Sequence, residues 1–132
     1  MALEGCVMRV ARATERLDAI RAFYVEGLGL EVLASFEDHA GFDGLILGWP
    51  QEPYHLEFTR ERGRPSGAVA DPESLTVFYL PDAARWQAAV DRLKAWGAQL
   101  VASHNPYWDR TGLTFEDPDG FRIVLQNGAW PL

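Results

Sequence analysis

A single cysteine, no long apolar run and no cluster of basic side chains set the first limits on this chain of 132 residues. With Cys6 alone an internal disulfide is excluded, and such a residue is expected to be a small buried hydrophobe rather than a nucleophile. The densest cationic stretch, Arg60 to Arg64, is short and interrupted by Glu61, and the net charge is −7. Nucleic acids and anionic membrane surfaces are recognised by clustered Lys and Arg, so neither is an expected partner. The opening residues, MALEGCVMRVAR, contain no apolar signal-peptide core, and nothing approaches the roughly 20 apolar residues of a spanning helix. A cytoplasmic location is the expectation. No serine or cysteine stands in a nucleophile-like context, and EGLGLEV follows a helical pattern instead of preceding one, which argues against a phosphate loop.

What is present is an ordinary globular composition, 48% hydrophobic and 12% aromatic, with five tryptophans. The length suits one compact domain that buries a core without disulfides or a structural metal. Patterning shows one unit written twice. CVMRVAR reads as a strand, and Thr14 is the expected N-cap of a helix carrying Leu17, Ile20, Phe23, Tyr24 and Leu28, stopped by Gly27 and Gly29. LEVLASFED, DGLILGW and YHLEFTR read as strands, with a turn from Gly41 to Gly44. Residues 61–72 are charged and rich in Gly and Pro, as a linker would be. The pattern then returns over residues 74–127: strand SLTVFYL, a helix opened by Pro81-Asp82 with Trp86, Val90, Leu93 and Trp96 on its apolar face and Gly97 at its end, then AQLVAS, GLTFE and FRIVLQ. Asp117-Pro118-Asp119-Gly120 carries type I turn preferences between the last two strands. The expected fold class is α+β: two tandem βαβββ modules, about 7–60 and 74–127, whose sheets face each other across a half-open, barrel-like cleft. Such a cleft is a natural place for a small ligand.

In YHLEF, His55 and Glu57 are two residues apart on a strand and therefore share a face. That pair could hold a metal, pass a proton or complete a hydrogen-bond network. The loop SHNPYWDR gathers His104, Tyr107 and Trp108, whose flat rings suit a planar ligand; a cover for the open end of its own sheet, or a subunit contact, is the alternative. His39 is expected in a solvated turn, Trp86 and Trp96 in the core, and Asp117 and Asp119 in turn chemistry alone.

Three stretches, RLDAIRAFYVEGLGLEV, DRLKAWGAQLV and FEDPDGFRIVLQ, resemble the glyoxalase / bleomycin-resistance / extradiol-dioxygenase superfamily, the vicinal oxygen chelate proteins, and with the strand order cover nearly the whole of residues 7–127. In metal-using members four side chains facing the cleft, His, Gln or Glu, bind a divalent ion. The resemblance places those positions on Arg9, Glu57, Leu75 and Val124; Leu75 follows Arg9 by 66 residues and Val124 follows Glu57 by 67. Only Glu57 is of a ligand type. A guanidinium repels a cation and offers no lone pair, and Leu and Val have no donor atoms. The resemblance therefore implies no metal and no other cofactor here. Arg9 is expected across the cleft from Glu57, in the space of the ion, pairing with its carboxylate, either as a structural ion pair with His55 a hydrogen-bonded core residue or as a pair that orients a polar ligand group.

Two function classes follow. One is a metal-independent small-molecule binder like the bleomycin-resistance branch, sequestering an aromatic or cationic drug or toxin, with Arg9, His55, Glu57, Leu75, His104, Tyr107, Trp108 and Val124 as ligand contacts. The other is an enzyme, a lyase, isomerase or dioxygenase, using a divalent metal or His55 and Glu57 as an acid–base pair. A homodimer is expected in either case, with Trp130 a candidate for the contact.

Overall fold

A computed structural model describes residues 2–130. The chain divides between Ala68 and Val69 into two compact units. In the first, strand β1 (Met8–Ala13) leads into helix α1 (Leu17–Arg21), then β2 (Glu31–His39), β3 (Phe42–Gly48) and β4 (Tyr54–Glu61). The sheet order is β1-β4-β3-β2, with β1 parallel to β4 and the other pairs antiparallel. The second unit repeats this as β5 (Leu75–Tyr79), α2 (Ala83–Trp96), β6 (Gln99–Val101), β7 (Gly112–Glu116) and β8 (Arg122–Gln126), in sheet order β5-β8-β7-β6. Each unit is thus a βαβββ module, and the fold class is α+β. No helix among the described residues is long and apolar enough to cross a membrane.

The helices differ from their sequence pattern in instructive ways. Thr14 does not cap α1; Arg16 holds that position, and the buried Thr14 hydroxyl, two residues ahead of it, accepts from its N–H at 3.0 Å. After Arg21 the helix widens into a π-helix over Ala22–Gly27, where Leu28 N–H donates to Phe23 O five residues back at 2.8 Å. That widening brings the consecutive Phe23 and Tyr24 both into the core. Gly29, at φ 90°, then turns the chain into β2. Helix α2 follows expectation at both ends: Asp82 accepts from the N–H groups of Ala84 and Arg85, and Gly97 closes it in the left-handed region. Its core contact is narrower than expected. Val90 and Leu93 are buried, and Trp86 is partly buried, its indole donating to Leu125 O at 2.8 Å. Trp96, in the last turn, is 36% exposed and is not core. Cys6 is likewise exposed, because it precedes β1 outside the packed sheet.

The β2–β3 turn is tighter than the expected Gly41 to Gly44. Asp38, Ala40 and Gly41 take positive φ, and β3 begins at Phe42, so Gly44 lies inside the strand. A clasp fixes this hairpin to the residue after β4: Arg62 donates through Nε to both Asp43 carboxylate oxygens, at 3.0 and 3.2 Å, while Asp38 N–H donates to Asp43 at 2.9 Å. The Arg62 hydrogen bond, then the Asp38 N–H, holds the Asp43 carboxyl below its ordinary value, against a smaller upward push from burial. A carboxyl with a depressed folded pKa stabilises above its unfolded value, about 3.9, and loses that contribution as pH falls through the folded value. Asp43→Asn should therefore unfold at lower urea than the parent near neutral pH, with the gap closing below about pH 4. Urea midpoints across that range check it; a gap indifferent to pH counts against the clasp.

Candidate functional site

Alternation along β4 sends His55, Glu57, Thr59 and Glu61 to one face and Tyr54, Leu56 and Phe58 to the other. The second set meets the helical layer: Tyr24 lies 4.8 Å from the Phe58 ring, and the Arg12 guanidinium sits 4.9 Å over Phe58. On that side burial, then the charge of Glu52, pushes the Tyr54 phenol up. The first face is left for polar groups, and the parallel register of β1 on β4 sets Arg9 beside His55.

Arg9 Nε donates to His55 Nδ1 at 3.2 Å, and its Nη1 lies 3.7 Å from Glu57 Oε2. The Arg9 side chain is 43% exposed and that of Glu57 18%. Arg9 and Glu57 therefore pair, but as lateral neighbours on adjacent strands of one sheet, not across a cleft. At 3.7 Å and half exposed, the ion pair is worth at most about 1 kcal/mol. The Arg9–His55 hydrogen bond carries more chemical information. A nitrogen that accepts bears no hydrogen, so the neutral imidazole carries its proton on Nε2. The trio then offers two donors, His55 Nε2–H and Arg9 Nη2, next to one carboxylate.

The second unit treats the equivalent strands differently. Leu75 is half-buried at the start of β5, in register with Arg122, and Val124 is fully buried between Val77 and Thr114, so it offers no surface to a ligand. Arg122 follows His55 by 67 residues and was missed by sequence reasoning, although the repeat offset applied to His55 points to it. Its guanidinium pairs with Glu116 at 3.4 Å and donates to Ala102 O at 3.2 Å, anchoring the loop after β6. In that loop Pro106–Asp109 form a 3-10 turn, capped by Asn105, whose side chain accepts from Tyr107 N–H at 3.0 Å. Tyr107 and Trp108 meet edge-on at 5.0 Å, with Arg110 5.8 Å from the Tyr107 ring. Tyr107 is 38% exposed and Trp108 partly buried, so Tyr107 presents the more accessible ring. His104 lies outside this group, 3.8 Å from Glu73, both well exposed. The loop is tied down by Ser103 Oγ and Thr114 Oγ1 at 2.6 Å and by Gln126 Nε2 donating to Thr111 Oγ1 at 2.6 Å. His39 ends β2 and is exposed beside the Phe36 ring, while Trp130 is exposed with its ring 6.2 Å from Tyr79. Among the described residues no three His, Cys, Asp or Glu side chains are grouped to hold a metal ion.

Comparison with known proteins agrees with this architecture. Residues 8–59 match the YycE-like N-terminal domain and residues 73–127 the YycE-like C-terminal domain. YycE of Bacillus subtilis (strain 168) is 47% identical over 124 residues, covering 94% of this chain and 89% of that protein. Its crystal structure superposes with a TM-score of 0.89 at 46% identity, over 96% of this chain and 92% of that one. Two more distant structures share the fold: glyoxalase I of Leishmania major (TM-score 0.70, 20% identity, 91% and 84% covered) and TnmS3, an antibiotic binding protein from Streptomyces sp. CB03234 (0.67, 23%, 96% and 97%). By its sequence relatives and by the strand order of both units, the chain belongs to the YycE-like family, within the glyoxalase / bleomycin-resistance / extradiol-dioxygenase superfamily.

Proposed function

We propose that this protein is a metal-independent binder of small molecules, suited to sequestering a drug or toxin, and that Arg9, His55 and Glu57 hold the polar end of its ligand. The observation that carries the reading is the hydrogen bond from Arg9 Nε to His55 Nδ1. It occupies the imidazole lone pair that a metal would need and sets a permanent cation beside the carboxylate. A divalent ion of the kind used elsewhere in the superfamily does not suit this donor set: about four to six oxygen or nitrogen ligands are wanted, and the repeat-equivalent positions in the second unit are Leu75 and Val124. The same hydrogen bond weighs against His55 as a general base through Nδ1. With two donors presented, the matching ligand group is a hydrogen-bond acceptor, a carbonyl, ether or carboxylate, more than a cation. The same fold serves TnmS3, an antibiotic binding protein, so a binding role lies within its range.

Removing the guanidinium tests the reading. Arg9→Ala should weaken an acceptor-bearing aromatic such as 5-(2-naphthyl)pentanoate about tenfold, equivalent to about 1.4 kcal/mol, in isothermal titration. Titration of the purified protein with Ni, Zn, Mn and Fe(II) should leave its melting temperature unmoved, since a ligand for the native state raises it. Stoichiometric uptake of any of these ions with tight affinity would overturn the proposal.

A further inference from the structure

Beyond Glu57, the same sheet face runs into a cavity of about 230 Å³. Ala13 and Thr59 form its floor, Phe42 and Glu61 stand at one side, and the linker residues 64–67 lie over it. We propose that this cavity is a subsite for the flat apolar ring of the ligand, the linker serving as its roof. The assignment rests on the reading of Arg9, His55 and Glu57 as the polar anchor, and adds to it the size, shape and spacing of what is bound.

The floor is flat for a reason visible in the register. Phe36, Gly44, Thr59 and Ala13 form one row across β2, β3, β4 and β1. Gly44 has no room for a Cβ, because the Phe36 ring lies across it. The row therefore presents small groups beside one aromatic face. Phe42, exposed on the next row opposite Glu61, is the aromatic wall of the cavity, and Pro65 contributes an apolar patch from the linker. Arg64 and Glu61 pair at 3.3 Å, each offsetting the other's charge, and the rest of the lining sets the hydroxyl groups of Thr14, Thr59 and Ser66 beside the apolar surface of Ala13, Phe42 and Pro65. An apolar cavity of about 150 Å³ accommodates benzene, and drug-sized sites run from about 300 Å³ upward. A volume of about 230 Å³ therefore fits one ring or two fused rings. Along β4, Thr59 is two residues from Glu57 and four from His55, or about 7 and 13 Å at the rise of a strand. The ligand class is a mono- or bicyclic aromatic with an acceptor group separated from the ring by about that span.

The experiment uses the full chain, labelled with 15N, and three probes: 5-(2-naphthyl)pentanoate (ring and acceptor, about 7 Å apart when extended), 4-(2-naphthyl)butylammonium (the same ring, no acceptor) and hexanoate (an acceptor, no ring). Both naphthyl probes are expected to shift the amide signals of Ala13, Phe42, Thr59 and the linker residues 64, 66 and 67, and hexanoate only those near Arg9 and His55. Thr59→Phe and Ala13→Phe, which fill the floor from two strands, should each weaken both naphthyl probes about tenfold or more and leave hexanoate unchanged. Arg9→Ala should weaken the two acids and spare the ammonium. Naphthyl probes that shift amides elsewhere, or fail to bind at millimolar concentration, overturn the subsite; the mapping on the unsubstituted protein decides even where a filled variant does not fold. Loss of discrimination in the Arg9 arm with the ring response intact overturns the anchor and leaves the subsite standing.

Discussion

Phe23→Ala is expected to cost the protein about 3–5 kcal/mol, a large part of a typical folding free energy of about 5–15 kcal/mol. Phe23 is fully buried, with its ring edge-on to Tyr24 at 4.8 Å, and Tyr24 in turn lies 4.8 Å from Phe58 of β4. Truncation removes an aromatic volume at the joint between helix and sheet, and the π-helical backbone there has no slack with which to refill it. Leu28 N–H is committed to Phe23 O and Leu30 N–H to Tyr24 O, so collapse around the void would break main-chain hydrogen bonds. For a chain of this size the melting temperature should fall by about 10–20 °C. Val10→Ala, on an exposed position of β1, is the control and should change stability by less than about 0.5 kcal/mol. Urea unfolding with both variants checks the contrast, through midpoints at unchanged slope. A loss below about 1 kcal/mol for Phe23→Ala would mean that the wide helix does not pack as described.

The same residues show how far periodicity reads a fold. Leu17, Ile20, Phe23 and Tyr24 recur at spacings that any helix of about this pitch satisfies, so a helix was legible and its change to i→i+5 bonding was not. The DPDG turn was legible in full because its chemistry is local: Gly120 N–H donates to Asp117 O, and the Asp117 carboxylate accepts from the N–H groups of Asp119 and Phe121. His55 and Glu57 on one face followed from alternation alone. The position of Arg9 did not. Sequence offset identifies equivalent places in two repeats, but whether two strands lie side by side is a non-local pairing that no pattern encodes. The parallel register of β1 on β4 turned a partner expected across a cleft into a lateral neighbour that also engages His55. Trp96 and Cys6 failed for a simpler reason. Apolar character gives a preference for burial, and the end of a helix or a segment before a strand can leave that preference unmet. The place of Gly44 was equally hidden, since it reads as a turn residue until the Phe36 ring is seen resting on it.

A second glycine makes the same point with a larger consequence. Gly112 opens β7 in register with Gln126, and an added Cβ there would overlap the Gln126 carboxamide while standing 2.8 Å from Trp108 O and 3.0 Å from Leu125 O. Its backbone conformation is not of the kind that requires glycine, so space alone decides the outcome. Two of the three obstacles are main-chain oxygens, one in β8 and one in the 3-10 turn that carries Tyr107 and Trp108, and neither can yield like the tip of a side chain. The third, Gln126, is held by its hydrogen bond to Thr111 and already has a buried Oε1 with no hydrogen-bond partner among the described residues, so a methyl group pressed against it adds crowding and supplies no donor. Gly112→Ala should therefore destabilise at the upper end of the usual overpacking range of about 1–3 kcal/mol, lowering the melting temperature by about 5–10 °C. Gly128→Ala is the matched control: the added carbon would find only Gln126 Cγ at 3.9 Å, ordinary contact, and stability should stay within about 0.5 kcal/mol. Because the strain falls on Trp108 O, the 15N–1H indole signal of Trp108 should move in Gly112→Ala and hold still in Gly128→Ala. Equal melting temperatures for the two variants would show that the aromatic loop is not seated against β7 and β8 as the register places it.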